Sequence, residues 1–326
     1  MRKLNPDFQL TADHVEKYQR QGFVVLKQFF SLEMIEFLKA RVNDEFETPT
    51  DHYQKGFDKL RYDLCNGDET IFELLEEEMF QNVMLSLCQE DLFYTQGVGF
   101  SLKRSEPGKV NKGFTWHIES QSFGFNRAED NGTTLWAPLH AIDSKKQRGG
   151  MCYVPRDIIS GEFMYDFIDP AVFRCMDEHI KSGGIEFEDY VALRDDPLNS
   201  GGIARLLEYF SIEDDFELGD VILFDKYVLH RDAPLEAGPL EARDAFSLRF
   251  ISADSRYDKE RAEMIEIPRN YYGYEGPTKF HLEICKEDNE LIVESAYFDA
   301  DRERRFIRAD ANFYDNLKPN KLEEVA

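Results

Sequence analysis

Phe114-Thr115-Trp116-His117-Ile118-Glu119-Ser120 sets an imidazole and a carboxylate two residues apart in an aromatic, β-branched setting. In a strand alternate side chains share a face, so His117 and Glu119 project together. The stretch lies inside 113–125, one of a series of short runs at 93–102, 113–125, 133–142, 151–154, 219–224 and 245–252, separated by turn residues. Such spacing predicts a β-sandwich or barrel. A second histidine, His230, follows the run 219–224 and can meet the first pair from an adjacent strand. Two imidazoles and one carboxylate on one side of a metal leave the opposite positions open, which suits a non-haem Fe(II) that must bind a co-substrate and O₂. A plainer reading stands beside it, because a lone strand histidine is often a hydrogen-bonded structural residue. Gln121 and Phe123 continue the His117 and Glu119 face and become pocket-lining candidates, with ordinary barrel packing as the alternative.

On the N-terminal side the texture is helical. Thr11 can cap an amphipathic stretch at 12–21 that Gly22 ends, and 23–26 then reads as a short strand. Ser31 precedes a second helix over 32–46 with Met34, Ile35, Leu38 and Val42 on one face, and a third helix is expected over 69–88. Between the runs at 151–154 and 219–224 lies a charged, Gly-containing insertion, 156–217, with helical spacing at 171–181 and 203–210. Beyond residue 255 the chain is polar and aromatic, with a hairpin expected from 279–285 and 290–295. No repeat or linker-like block interrupts this, so one domain is expected: a helical region with a strand at 1–92, a β core at 93–254 containing the insertion, and a C-terminal extension at 255–326.

Composition narrows the partners. With 39 Lys and Arg against 64 Asp and Glu the formal charge is −25, which opposes binding to nucleic acid or anionic membrane. A 42% hydrophobic content supplies a core, so the charge belongs to a folded, soluble protein. The N-terminus lacks a secretory apolar stretch, and the five cysteines are scattered without a Cys-x-x-Cys pair; a cytoplasmic location is the expectation.

The order of motifs resembles the phytanoyl-CoA dioxygenase family of Fe(II)- and 2-oxoglutarate-dependent oxygenases. Gln21-Gly22-Phe23-Val24-Val25-Leu26 resembles its entry strand, and Trp116-His117-Ile118-Glu119 resembles its metal-binding His-x-Asp. Leu135-Trp136-Ala137-Pro138-Leu139, Asp143 and Gly149-Gly150-Met151-Cys152-Tyr153-Val154-Pro155 resemble its central strands. Gly219-Asp220-Val221-Ile222-Leu223-Phe224, His230 and Arg243-Asp244-Ala245-Phe246-Ser247-Leu248-Arg249-Phe250 resemble its ending, so the likeness spans residues 12–254. Two departures stand out: Glu119 replaces the usual Asp, and Arg231-Asp232-Ala233-Pro234 replaces a small-residue turn after the second histidine.

The resemblance implies a mainly β fold with flanking helices, a double-stranded β-helix of jelly-roll or cupin type. It implies Fe(II) held by His117, Glu119 and His230, with 2-oxoglutarate and O₂ as co-substrates. Arg243 would take the distal carboxylate of 2-oxoglutarate, since a guanidinium offers two parallel donors to it. Its plain alternative is a surface arginine between Glu241 and Asp244. Arg249 shares the strand face and rivals it, although an outward, salt-bridged place is its simpler fate. Trp136 is a candidate to pack beside the co-substrate, and Lys103 a further candidate to hold it, against a snorkelling surface lysine. His140, on the Trp136 run, can also face the pocket. The implied reaction converts 2-oxoglutarate to succinate and CO₂ while oxidising a C–H bond of a small molecule, with hydroxylation as default. Glu119 disfavours halogenation by filling the third ligand position. Two other readings remain: a non-redox metal- or ligand-binding β-helix, and a hydroxylase of protein substrates. The insertion and residues 57–64 are candidates for a substrate lid.

Overall fold

The structure, a computed structural model, describes residues 1–47, 60–104, 115–120, 122–171, 174, 182, 198–264, 280–310 and 313–316. Thr11 caps α1 (Ala12–Gln21) as its sequence predicts: its hydroxyl accepts from His14 N–H while the His14 ring accepts from Thr11 N–H. Gly22 ends the helix at φ +78°, a left-handed turn open to glycine, and a Cβ there would stand 2.7 Å from Asp225. β1 (Phe23–Leu26) and α2 (Leu32–Glu47) follow, the latter burying Met34, Ile35, Leu38 and Val42 as expected.

The single helix expected over 69–88 is two, α3 (Glu69–Leu75) and α4 (Glu78–Cys88). Glu76, Glu77 and Glu78 fall at the join. Three successive carboxylates are poor at the C-terminus of α3 and favourable at the N-terminus of α4, so the dipoles of both helices favour a break there. The hairpin expected near the C-terminus is also absent: Phe280–Glu283 is a helical turn and Ile292–Glu294 a 3₁₀ turn. Their side chains insert with Phe298 into a core shared with Phe93, Phe123 and Phe125, which outweighs strand pairing.

The remaining strands are β2 (Leu60–Tyr62), β3 (Leu92–Lys103), β4 (Gly132–Pro138), β5 (Met151–Tyr153), β6 (Ile212–Glu213), β7 (Val221–Asp225), β8 (His230–Asp232), β9 (Ala242–Ser252) and β10 (Phe306–Ile307). They form two antiparallel sheets. The larger runs β1-β7-β4-β9-β3-β10 with β2 also on β3, and the smaller runs β6-β5-β8. Strand alternation divides the larger sheet cleanly. Leu135, Ala137, Leu223, Phe246, Leu248 and Phe250 join a core with residues of α1 to α4 such as Met34, Leu38 and Phe80. The opposite face carries Trp136, Ile222, Phe224 and Ala245, packed with Met151 and Tyr153 of the smaller sheet. This is a jelly-roll β-helix core with flanking helices. The insertion contributes α5 (Gly201–Phe210), of which only the start differs from the expected 203–210; the other expected helix, 171–181, lies largely outside the described residues.

Candidate active site

His117 and His230 face each other across an antiparallel bridge in which each backbone N–H donates to the other's carbonyl, at 2.9 and 3.0 Å. The bridge brings the rings to 4.3 Å between centroids. Each Nδ1 sits on a nearby backbone carbonyl, Thr115 O at 2.5 Å for His117 and Val228 O at 2.8 Å for His230. A carbonyl can only accept, so Nδ1 carries the proton and Nε2 keeps its lone pair, the tautomer that suits a metal ligand.

Glu119 arrives by a turn and not by strand alternation. The N–H groups of Ser122 and Phe123 both donate to Glu119 O, which closes the chain on itself immediately after the His117 bridge. The carboxylate still reaches the histidines, with Oε1 3.5 Å from His230 Nε2. The same turn overturns the pocket reading of Phe123. Its ring is fully buried with Phe125 and Tyr257 in the C-terminal core, away from the cavity, because period-two reasoning stops where the strand stops. Gln121 lies outside the described residues.

Polar clamps fix this segment from the insertion. Asn199 accepts from Trp116 N–H and donates to Trp116 O, acting as a strand partner made of one side chain. Glu208 on α5 accepts from the Trp116 indole and from Arg231, at 2.8 Å each.

The cavity beneath His117, Glu119 and His230 is lined also by Trp136, Ser247, Arg243 and Arg249. Both arginines contradict their plain readings. Arg243 is 2% exposed and Arg249 4%, because both share the inward face of β9. Arg243 donates through Nε to Gly149 O and through Nη2 to Asp232 at 3.1 Å, with its guanidinium 5.3 Å from the Trp136 ring centre. Gly149 has φ +84°, and a Cβ on it would meet Leu235 at 2.7 Å, so a glycine is needed where that carbonyl turns to Arg243. Arg249 places Nη2 3.4 Å from Glu119 Oε2. Burial pushes the Glu119 pKa up, but the Arg249 guanidinium overcomes it and holds the carboxyl well below its usual range.

Two other candidates fall elsewhere. Lys103 is exposed at the end of β3, does not line the cavity, and so fits the snorkelling alternative. His140 lies just beyond β4, outside the cavity, and pairs with Asp244 at 3.1 Å. Residues that sequence reasoning missed include Asp232, two positions after His230 and on its face of β8, which period-two counting would have found. Asp169, Met164 and Leu198 come from the insertion, while Leu60 and Tyr62 come from β2; only the lid expectation pointed to these segments.

The donor set fits a divalent metal of borderline softness: two imidazoles anchored through Nδ1 on backbone carbonyls and a carboxylate whose buried Oε2 makes no hydrogen bond among the described residues. Among the described residues no three His, Cys, Asp or Glu side chains already stand at ion-holding distances, so the donors are gathered but not closed on one point.

Residues 18–158 match the family described as phytanoyl-CoA dioxygenase (PhyH). Over those residues, less than half of the chain, the protein is similar to that family. That likeness supports a 2-oxoglutarate-dependent non-haem iron oxygenase that uses Fe(II), 2-oxoglutarate and O₂. No curated protein sequence matches the chain. Solved structures share the fold of this chain at low identity. The alpha-ketoglutarate-dependent epimerase SnoN from nogalamycin biosynthesis is 14% identical, with a TM-score of 0.53 over 76% of this chain and 85% of its own. The carbocyclase SnoK of the same biosynthesis is 15% identical, with a TM-score of 0.51 over 78% and 89%. EctD from S. alaskensis is 15% identical, with a TM-score of 0.52 over 80% and 83%. Among the described residues no helix is long and apolar enough to cross a membrane.

Proposed function

We propose that this oxygenase oxidises an unactivated C–H bond of a small molecule, with His117, Glu119 and His230 holding the iron and Arg243 holding the distal carboxylate of 2-oxoglutarate. The observation that carries the reading is the convergence of the bridged pair His117 and His230, the buried Glu119 and a buried arginine on one cavity. When bound, iron and 2-oxoglutarate supply the oxidising power, with succinate and CO₂ released. The chain supplies placement. Backbone carbonyls lock both imidazole tautomers, and Arg249 keeps Glu119 ionised. Arg243 is preferred over Arg249 on geometry. The distal carboxylate lies three carbon–carbon bonds beyond the chelating keto carbon, whereas Arg249 is already against a metal ligand. Gly149 and Asp232 take Arg243 Nε and Nη2, and neither takes Nη1. Leu60, Phe100, Met164 and Leu198 make the walls partly apolar, which favours exclusion of water and an organic substrate.

SnoN has been solved with Fe3+, alpha ketoglutarate and nogalamycin RO, which supports a small-molecule substrate here over a protein one. Hydroxylation is the default outcome of the proposal. The test is release of succinate from 2-oxoglutarate by anaerobically purified protein given Fe(II) and then O₂. A slow, substrate-independent release that disappears in His117→Ala is expected. No release, or equal release by the variant, refutes the proposal.

A further inference from the structure

The inner face of the larger sheet carries a row of polar groups that no described residue satisfies. Gln96 of β3 and Thr134 of β4 both pair directly with Arg249 of β9, one on each side. The register shift between Tyr94 and Gln96 on β3 brings Gln96 opposite Arg249. Gln96 Oε1, Thr134 Oγ1, Ser247 Oγ and the Nε and Nη1 of Arg249 are all buried without a hydrogen-bond partner among the described residues. Ser247 and Arg249 line the cavity. Buried polar groups are ordinarily paired, and a guanidinium with two idle nitrogens in the interior is the costliest member of this row.

Charge points the same way. Arg243 has Asp232 as a counter-ion, but the only carboxylate within 4 Å of Arg249 among the described residues is Glu119. Once Glu119 shares its charge with a metal, Arg249 is left with an uncompensated positive charge beside the reaction centre. The two arginines are six residues apart on one strand, about 20 Å along it between Cα atoms, and they are anchored to different partners.

We infer that Arg249 is a second anion subsite, which takes a carboxylate of the primary substrate and so selects acidic small molecules, with Ser247 beside it on the same face. The inference rests on the oxygenase reading and adds the substrate class. It is tested by calorimetry on the full chain with Mn(II) in place of iron and saturating 2-oxoglutarate, without O₂. The probes are monocarboxylates paired with their primary amides, from acetate and acetamide to 2-naphthoate and 2-naphthamide. At least one acid is expected to bind tenfold or more tightly than its amide. That preference is expected to vanish in Arg249→Gln and to survive in part in Arg249→Lys, which guards against simple misfolding. No acid preferred over its amide, or a preference unchanged in Arg249→Gln, overturns the inference. So does an Arg249→Gln variant that loses 2-oxoglutarate affinity while keeping the acid preference, since Arg249 then serves the co-substrate. Failure of the oxygenase reading looks different: neither 2-oxoglutarate binding nor succinate release, with the acid preference intact.

Discussion

Replacing Arg243 by Gln separates the two arginines and tests the assignment of the co-substrate. The side chain is almost wholly buried and makes two internal bonds, to Gly149 O and to Asp232. Losing both, at about 1.5 kcal/mol each, costs about 3 kcal/mol. For a protein of this size that lowers Tm by about 4 °C. The effect on 2-oxoglutarate is separate. Removing one partner of a buried charge pair costs 2 to 5 kcal/mol; at about 3 kcal/mol the KM for 2-oxoglutarate rises about 150-fold. Succinate release measured against 2-oxoglutarate concentration gives KM, and calorimetry with Mn(II) in place of iron gives the affinity without turnover. Arg249→Gln, measured in parallel, is expected to move the 2-oxoglutarate affinity less than tenfold. A KM within threefold of wild type in Arg243→Gln, with a large rise in Arg249→Gln, refutes the assignment.

Other outcomes follow from particular contacts. His230→Ala removes a proposed metal donor while leaving the backbone bridge to His117 in place, so Fe(II) affinity measured by competition with a chelator is expected to fall by at least about 100-fold. Gly149→Ala forces a side chain into φ +84° and toward Leu235, and is expected to cost about 1–2 kcal/mol in denaturant unfolding while raising KM for 2-oxoglutarate through Arg243. Lys226 is fully buried, and burial, helped by Arg261, brings its pKa down to about 7. Between there and the unfolded value of about 10.4 the unfolded chain binds more protons, so this group makes stability rise with pH from about 7 upward. Lys226→Met is expected to flatten that rise in Tm measured from pH 7 to pH 9, and an unchanged slope would count against it.

Much of the architecture was legible because its signals are local. Thr11 and Gly22 announce the ends of α1 through cap chemistry, and the apolar runs at 93–102, 219–224 and 245–252 announce β3, β7 and β9 through strand propensity. The signals failed where neighbours distant in sequence decide. The turn after Glu119 defeats alternation, so Phe123 packs into a core built by residues 280–298. The break at Glu76–Glu78 is a local signal of another kind, charge against the helix dipoles, which a hydrophobic pattern does not express.

By itself the sequence determined the candidate donors, His117, Glu119 and His230, the shared strand face of Arg243, Ser247 and Arg249, and the acidic balance. Side-chain chemistry and strand period are properties of the chain alone. Only the tertiary structure decided that His117 bridges His230, that both arginines are buried, that Asp232 and Gly149 anchor one of them, and that the other lies beside Glu119 with idle donors. These depend on register between strands more than a hundred residues apart. Register is set by packing of the whole sheet, which no local stretch contains.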